Sequence, residues 1–213
     1  MNFFLKIIKK LSLKIMKSFT IFAIFILLAA GGIFYVKNII TDQLNPPKST
    51  LIQRADKIAD FSKIPKGYTV TKALNLFGVS AVVAEYPKTG QYMGIINTGQ
   101  SMNIAKTDIE TGSLSRKLQD YALKTASPSI KLNNLEISPQ GNFDAFKQSV
   151  PYAKIKVKLS GIKSEKVYDG MIGIASRPGT AQKTQNELIV SINKTGTFNQ
   201  KVAEKFFKSV KLQ

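Results

Sequence analysis

The chain contains no cysteine, no histidine and no tryptophan among its 213 residues. Without cysteine it has no disulfide, no thiolate nucleophile and no thiolate-bound zinc or iron–sulfur cluster. Without histidine it lacks the side chain that serves most often as a general base and as a transition-metal ligand. We therefore expect no cofactor, and any catalysis would depend on carboxylates, lysine, tyrosine, serine or threonine.

Acidic side chains are also scarce. The chain has 31 Lys and Arg residues against 13 Asp and Glu residues, a formal net charge of +18. Residues 38–213 alone carry 25 basic and 13 acidic side chains, so this part is basic by itself. Such a surface can meet an anionic polymer, a lipid headgroup or an acidic protein. Nucleic acid is the least expected partner, because no recognisable nucleic-acid-binding module is present.

One long stretch lacks charge altogether. It runs for 19 residues from Ser18 to Val36, between Lys17 and Lys37. At about 1.5 Å of rise per residue, a helix of this length covers a hydrocarbon core of roughly 30 Å. The sequence therefore predicts a transmembrane helix at residues 18–36, with the lipid bilayer as a partner.

The flanks of this stretch predict its orientation. Residues 1–17 contain five lysines and no acidic residue, whereas the residues after Val36 mix both signs. Because positively charged flanks stay in the cytoplasm, we expect a basic cytoplasmic tail at 1–17, a single pass through the cytoplasmic (inner) membrane and an extracytoplasmic C-terminal part. An uncleaved signal anchor is favoured over cleavage near Ala29–Gly32. Met1 and Met16 both remain possible starts.

Beyond the anchor, the pattern predicts a connecting segment at 37–57 and one α+β domain at 58–213. Direct succession of strands after residue 150 favours antiparallel pairing. We expect an antiparallel sheet of about five or six strands packed with two or three helices, preceded by the transmembrane helix. The predicted strands are 79–86, 92–97, 132–138, 152–160, 167–175 and 187–193. The predicted helices are a short one after Thr50, one at 113–124, and one capped by Thr197 whose buried stripe includes Val202, Ala203, Phe206 and Val210.

The strand at 152–160 supplies the candidate binding residues. Its odd-numbered positions are apolar, while Tyr152, Lys154, Lys156 and Lys158 fall on the other face. Strand geometry places successive lysines of this face about 7 Å apart. We interpret these four residues as a candidate site for an anionic partner. The alternative is a row of solvated lysines that protects an edge strand from pairing.

Patterns typical of enzymes are weak. Ser-x-x-Lys occurs at Ser160 and Ser191, about as often as the abundance of lysine predicts by chance. The closest carboxylate pair, Asp108 and Glu110, is interpreted as solvated loop charges rather than as a cation site. We therefore expect no catalytic residues, no metal site and no enzymatic activity.

Two short motifs and the order of elements resemble a known fold. The motifs are Phe61-x-x-Ile-Pro-x-Gly-Tyr68, before the hairpin, and Phe206-Phe207-Lys-Ser-Val210, which closes the last helix. Together they resemble the PsbP-like α+β domains over residues 58–213. The resemblance implies an accessory or binding domain, and it implies no catalytic residue because that group shares none.

These observations lead to one function and two alternatives. We expect a membrane-anchored, extracytoplasmic accessory or binding module that is non-catalytic and contacts an envelope protein or an anionic envelope polymer. One alternative is a small envelope hydrolase or lyase that uses carboxylates with tyrosine or lysine. The other is a structural component of an envelope assembly or secretion apparatus.

Overall fold

The structure is a computed structural model, and it describes residues 46–76, 79–99, 102–124, 130–161, 165–177 and 185–213. The predicted tail at 1–17 and the predicted transmembrane helix at 18–36 lie outside these residues. Among the helices that are described, none is both long and apolar enough to span a bilayer.

A seven-stranded antiparallel sheet forms the centre of the fold, in the order β2-β3-β4-β8-β7-β6-β5. A second, two-stranded sheet pairs β1 with β9. The strands of the described residues are β1 (Ala59–Asp60), β2 (Thr69–Leu76), β3 (Val79–Tyr86), β4 (Gln91–Asn97), β5 (Ile130–Ala145), β6 (Gln148–Gly161), β7 (Glu165–Arg177), β8 (Gln185–Lys194) and β9 (Lys211–Leu212).

Helices cover both faces of the large sheet. They are α1 (Lys48–Asp56), α2 (Thr107–Glu110), α3 (Ser113–Lys124) and α4 (Gln200–Ser209). One apolar cluster lies under α2 and α3, and a second lies under α1 and α4. Adjacent residues of a strand enter opposite clusters, as Ile95 and Ile96 do, because successive side chains point to opposite faces. The domain therefore has three layers, helix–sheet–helix.

Helix α4 is fixed by its buried face and by its N-cap. Phe206 and Phe207 are buried, and the ring of Phe206 lies 5.6 Å from that of Tyr68. Asn199 adopts an extended conformation, and its side chain accepts hydrogen bonds from the backbone N–H groups of Lys201 and Val202. The prediction of Thr197 as the cap is wrong, because its hydroxyl donates instead to the Lys194 carbonyl, 2.7 Å away, within the preceding turn.

Helix α1 lies in the residues that the sequence assigned to the connecting segment. It begins at Lys48, two positions before Thr50, with Pro47 as its extended N-cap. Proline fits the start of a helix because its missing N–H would have no intrahelical partner there. Ala55 is buried in the cluster that α1 shares with α4, so this helix packs against the domain.

The α+β class and the antiparallel sheet are confirmed, but the predicted numbers of strands and helices were too low. The sequence pattern did not predict β2, β1, β9 or α2. The strand predicted at 132–138 is also too short, because β5 continues past Pro139 and Gly141 through an irregularity in register. Proline is tolerated because β5 is an edge strand of the large sheet, where one side needs no ladder hydrogen bond.

Candidate functional site

An open groove lies on the face of β5, β6 and β7 that α4 covers only in part. Its volume is about 380 Å³. The polar lining residues are Glu136 and Ser138 from β5, Lys154 and Lys156 from β6, and Asp169 from β7. Gly196 and Phe198, from the turn that leads into α4, close one side.

Strand register brings these side chains together. Lys156 is paired with Glu136 on β5 and with Asp169 on β7, while Lys154 is paired with Ser138 on β5. Directly paired residues project from the same face, and neighbouring strands are about 4.8 Å apart. Glu136, Lys156 and Asp169 therefore form a row of acid, lysine and acid across the floor of the groove. Lys154 lies beside this row, two residues before Lys156 on β6.

Two of the four candidate binding residues reach the groove. Lys154 and Lys156 are exposed there, and neither forms an ion pair with another described residue. Lys158 instead forms an ion pair with Glu165 over 2.9 Å. All three lysines share one face of β6, as the alternating pattern predicts.

Tyr152 is held by the core at the edge of this face. Its ring meets that of Phe143 edge-on, with centroids 5.5 Å apart. Its hydroxyl accepts a hydrogen bond of 3.0 Å from the side-chain amide of Gln200 in α4. Tyr152 therefore anchors α4 to β6, and it does not line the groove.

The two groove carboxylates have partners of their own. Asp169 accepts hydrogen bonds from the Gly196 backbone N–H at 2.9 Å and from the Thr195 hydroxyl at 3.5 Å. Glu136 accepts one from the Asn134 side chain at 2.8 Å. Asp169 thus shapes the turn that forms one wall. The sequence pattern did not indicate these residues, because cross-strand neighbours are set by register rather than by local spacing.

Buried Gln91 fixes the start of α4 beside the groove. Its amide group donates to the Asn199 carbonyl at 2.9 Å and to the Ser191 hydroxyl at 3.0 Å, and its oxygen accepts from the Asn199 N–H at 2.9 Å. Ser191 in turn donates to the Tyr92 carbonyl at 3.0 Å. This serine, from one of the two Ser-x-x-Lys matches, is therefore buried and structural.

Asp108 and Glu110 both lie on the short helix α2. The interpretation of Asp108 as a solvated loop charge is wrong, because it is buried and accepts bonds from Ala105 N–H (2.7 Å), the Ser113 hydroxyl (2.5 Å) and Lys117 Nζ (2.8 Å). Burial alone would raise its pKa, but these hydrogen bonds outweigh it and lower the pKa. Over the described ranges, no three carboxylates are grouped so that they could hold a metal ion.

Glu187 is buried near the start of β8, at the end of that strand away from the turn with Gly196 and Phe198 that borders the groove. Its Oε1 accepts from Asn97 Nδ2 at 2.9 Å and lies 3.5 Å from Arg177 Nη1, while Oε2 has no partner within the described structure. Burial raises its pKa, although Arg177 and Asn97 oppose the shift. Arg177 also donates to the carbonyls of Lys57 and Gln213, so this cluster joins the small sheet to the large one.

No protein-family model matches the chain, and neither the curated proteins nor the solved structures contain a significant match to it.

Proposed function

We propose that this chain is a membrane-anchored accessory module that binds an anionic envelope polymer through the groove and catalyses no reaction. The observation that carries the proposal is the pair of lysines, Lys154 and Lys156, exposed in an open groove without an ion pair to any residue described. A polymer with regularly spaced phosphates or carboxylates can contact both ammonium groups. The resemblance of residues 58–213 to PsbP-like domains is also part of this proposal, because that resemblance implies an accessory or binding domain.

The location in the cell is inferred from residues 1–57. The 19 uncharged residues from Ser18 to Val36 would span the cytoplasmic membrane once, with the basic tail inside and the domain outside. The polymer would then be one that lies outside the cytoplasm and close to the membrane. The other partner that would present negative charges to the groove is an acidic segment of an envelope protein.

The groove geometry favours binding over catalysis. It is open to solvent, and Asp169 already holds the backbone of the adjacent turn. Catalytic groups more often lie in enclosed clefts that exclude water. Exposed Glu136 and the row of alternating charges instead form a surface that selects a ligand by the spacing of its charges.

Titration with poly(glycerol phosphate) tests the proposal directly. The full chain, purified in detergent, is compared with a Lys154→Gln/Lys156→Gln variant by isothermal calorimetry at physiological salt. Exposed charge contacts contribute up to about 1 kcal/mol each, so we expect the affinity to fall about 5- to 20-fold. A Lys166→Gln/Lys194→Gln variant has the same net charge, and both of its lysines are exposed outside the groove. Equal losses in the two variants, or no binding by the parent chain, would contradict the proposal.

One observation favours the hydrolase or lyase alternative. Glu136 and Asp169 lie on either side of Lys156, two strand spacings apart, or about 10 Å between their backbones. Glycosidases that invert configuration also place two carboxylates on opposite sides of the bond they cleave. If the purified chain shortens an envelope polysaccharide and Glu136→Gln abolishes this activity, the enzyme hypothesis replaces the binding module.

A further inference from the structure

The two helical layers of the domain differ in net charge. Residues 46–68 and 199–213, which form the layer of α1 and α4, carry nine basic and three acidic side chains. Residues 102–124, which form the layer of α2 and α3, carry four basic and three acidic side chains. The first layer therefore has a net charge of +6 over 38 residues, and the second has a net charge of +1 over 23 residues.

Helix α4 presents a row of lysines to solvent. Lys201, Lys205 and Lys208 are exposed and follow the i, i+4, i+7 spacing that places side chains on one face of a helix. The buried residues Phe206 and Phe207 lie on the opposite face, against the sheet. The three lysines, which we call the α4 lysine row, therefore point away from the sheet. The contact of Lys208 with Glu204 is long, at 3.9 Å, and solvent-exposed, so it neutralises little of this charge.

The surface beside α4 continues the pattern. Lys63 and Lys211 lie near Asp60, and both help to lower the pKa of its carboxyl group after the larger effect of hydrogen bonds from Ser62. On α1, Ile52 is 49% exposed, which makes it the one large hydrophobic residue that is exposed in the described part of the chain. Lysines together with an exposed apolar side chain are typical of surfaces that rest on lipid headgroups.

We propose that the α1/α4 layer lies on the anionic headgroups of the membrane in which residues 18–36 are anchored. This inference rests on the proposed anchor. Only nine residues, 37–45, separate Val36 from the first described residue, Pro46. Fully extended, they reach at most roughly 32 Å, so α1 begins within a short distance of the bilayer. Because screening limits charge attraction to about 8 Å at physiological salt, the lysines act only when this layer faces the membrane.

The orientation has a consequence for the groove. Gly196 and Phe198 line the groove and immediately precede α4, and the lysines of β6 lie on the same side of the sheet as α4. With the α4 lysine row on the headgroups, the groove opens toward the membrane surface. Its ligand would then be reached along the bilayer rather than from bulk solvent.

Fluorescence quenching in nanodiscs tests this orientation. The chain has no native cysteine, so Gln53→Cys on α1 and Glu110→Cys on α2 each give a single label site, both at exposed residues. Each labelled full chain is reconstituted in nanodiscs of phosphatidylcholine alone or with 30% phosphatidylglycerol, both with a nitroxide-headgroup lipid as quencher. With phosphatidylglycerol we expect the label on α1 to be quenched about threefold more than the label on α2.

Variants separate specific orientation from net charge. Lys201→Gln/Lys205→Gln/Lys208→Gln should remove the dependence of α1 quenching on phosphatidylglycerol. Lys88→Gln/Lys166→Gln/Lys194→Gln, which removes as much charge from strand ends and turns, should keep it. The proposed orientation would be overturned if both labels were quenched equally. It would also be overturned if both variants lost the dependence of α1 quenching on phosphatidylglycerol to the same extent. Failure of the chain to stay with neutral nanodiscs after a high-salt wash would instead refute the anchor, so the two failures are distinguishable.

Discussion

Replacing Gln91 with alanine tests how the wall of the groove is held. The Gln91 side chain is fully buried and makes three hydrogen bonds, two to the Asn199 backbone and one to Ser191. The substitution removes all three and leaves the N–H and C=O of Asn199 without these partners. Each lost bond costs about 1 kcal/mol, and more where a group stays buried and unpaired. We expect the free energy of unfolding to fall by about 3–4 kcal/mol.

Urea unfolding of the full chain in detergent, followed by far-ultraviolet circular dichroism, measures this change. The midpoint should move to lower urea with little change in the slope, because the surface exposed on unfolding stays similar. Gln119→Ala is the matched control, since its side chain on α3 is exposed and makes only long bonds of 3.4 Å. It should cost less than about 0.5 kcal/mol. A loss below about 1 kcal/mol for Gln91→Ala would refute the reasoning.

Three further substitutions test other parts of the fold. As the pH rises from about 4.5, the Glu187→Gln variant should gain stability relative to the parent chain. The raised pKa makes ionisation of buried Glu187 costly in the parent chain, and urea unfolding at several pH values would show the difference. Asp108→Asn should lose about 2 kcal/mol near pH 7, and this loss should shrink as pH falls below about 3.8, because the lowered pKa stabilises the fold only when Asp108 is charged. Gly170→Ala should lower the thermal midpoint at a cost of about 1–3 kcal/mol, since its Cβ would lie 2.2 Å from the Ser191 carbonyl oxygen. If the stability difference from the parent chain did not depend on pH, the pKa shift assigned to Glu187 or to Asp108 would be wrong. An unchanged thermal midpoint of Gly170→Ala would contradict the close contact at Gly170.

Elements with strong local periodicity could be predicted from the sequence. The helix at 113–124 and the strand at 79–86 have the predicted bounds, because an amphipathic stripe and a β-branched run are local signals. The alternation along β6 likewise placed Lys154, Lys156 and Lys158 on one face.

What could not be predicted depends on contacts between distant segments. The two-residue strands β1 and β9 exist only because the two ends of the domain pair with each other. Asn199 caps α4 because Gln91 holds its backbone, whereas Thr197 had the better local spacing. Glu136 and Asp169 meet Lys156 through the registers of three strands, which no single segment encodes. The groove therefore emerges only from the assembled sheet.

The central claim is that the groove lysines bind an anionic polymer, and lysine side-chain NMR tests it most directly. The lysines of the full chain in detergent are reductively methylated with carbon-13, which keeps their charge, and are assigned by single Lys→Arg variants. On titration with poly(glycerol phosphate), the account predicts that the Lys154 and Lys156 signals shift together and saturate first, ahead of Lys166 and Lys194. Parallel, unsaturated shifts of all four signals would contradict it.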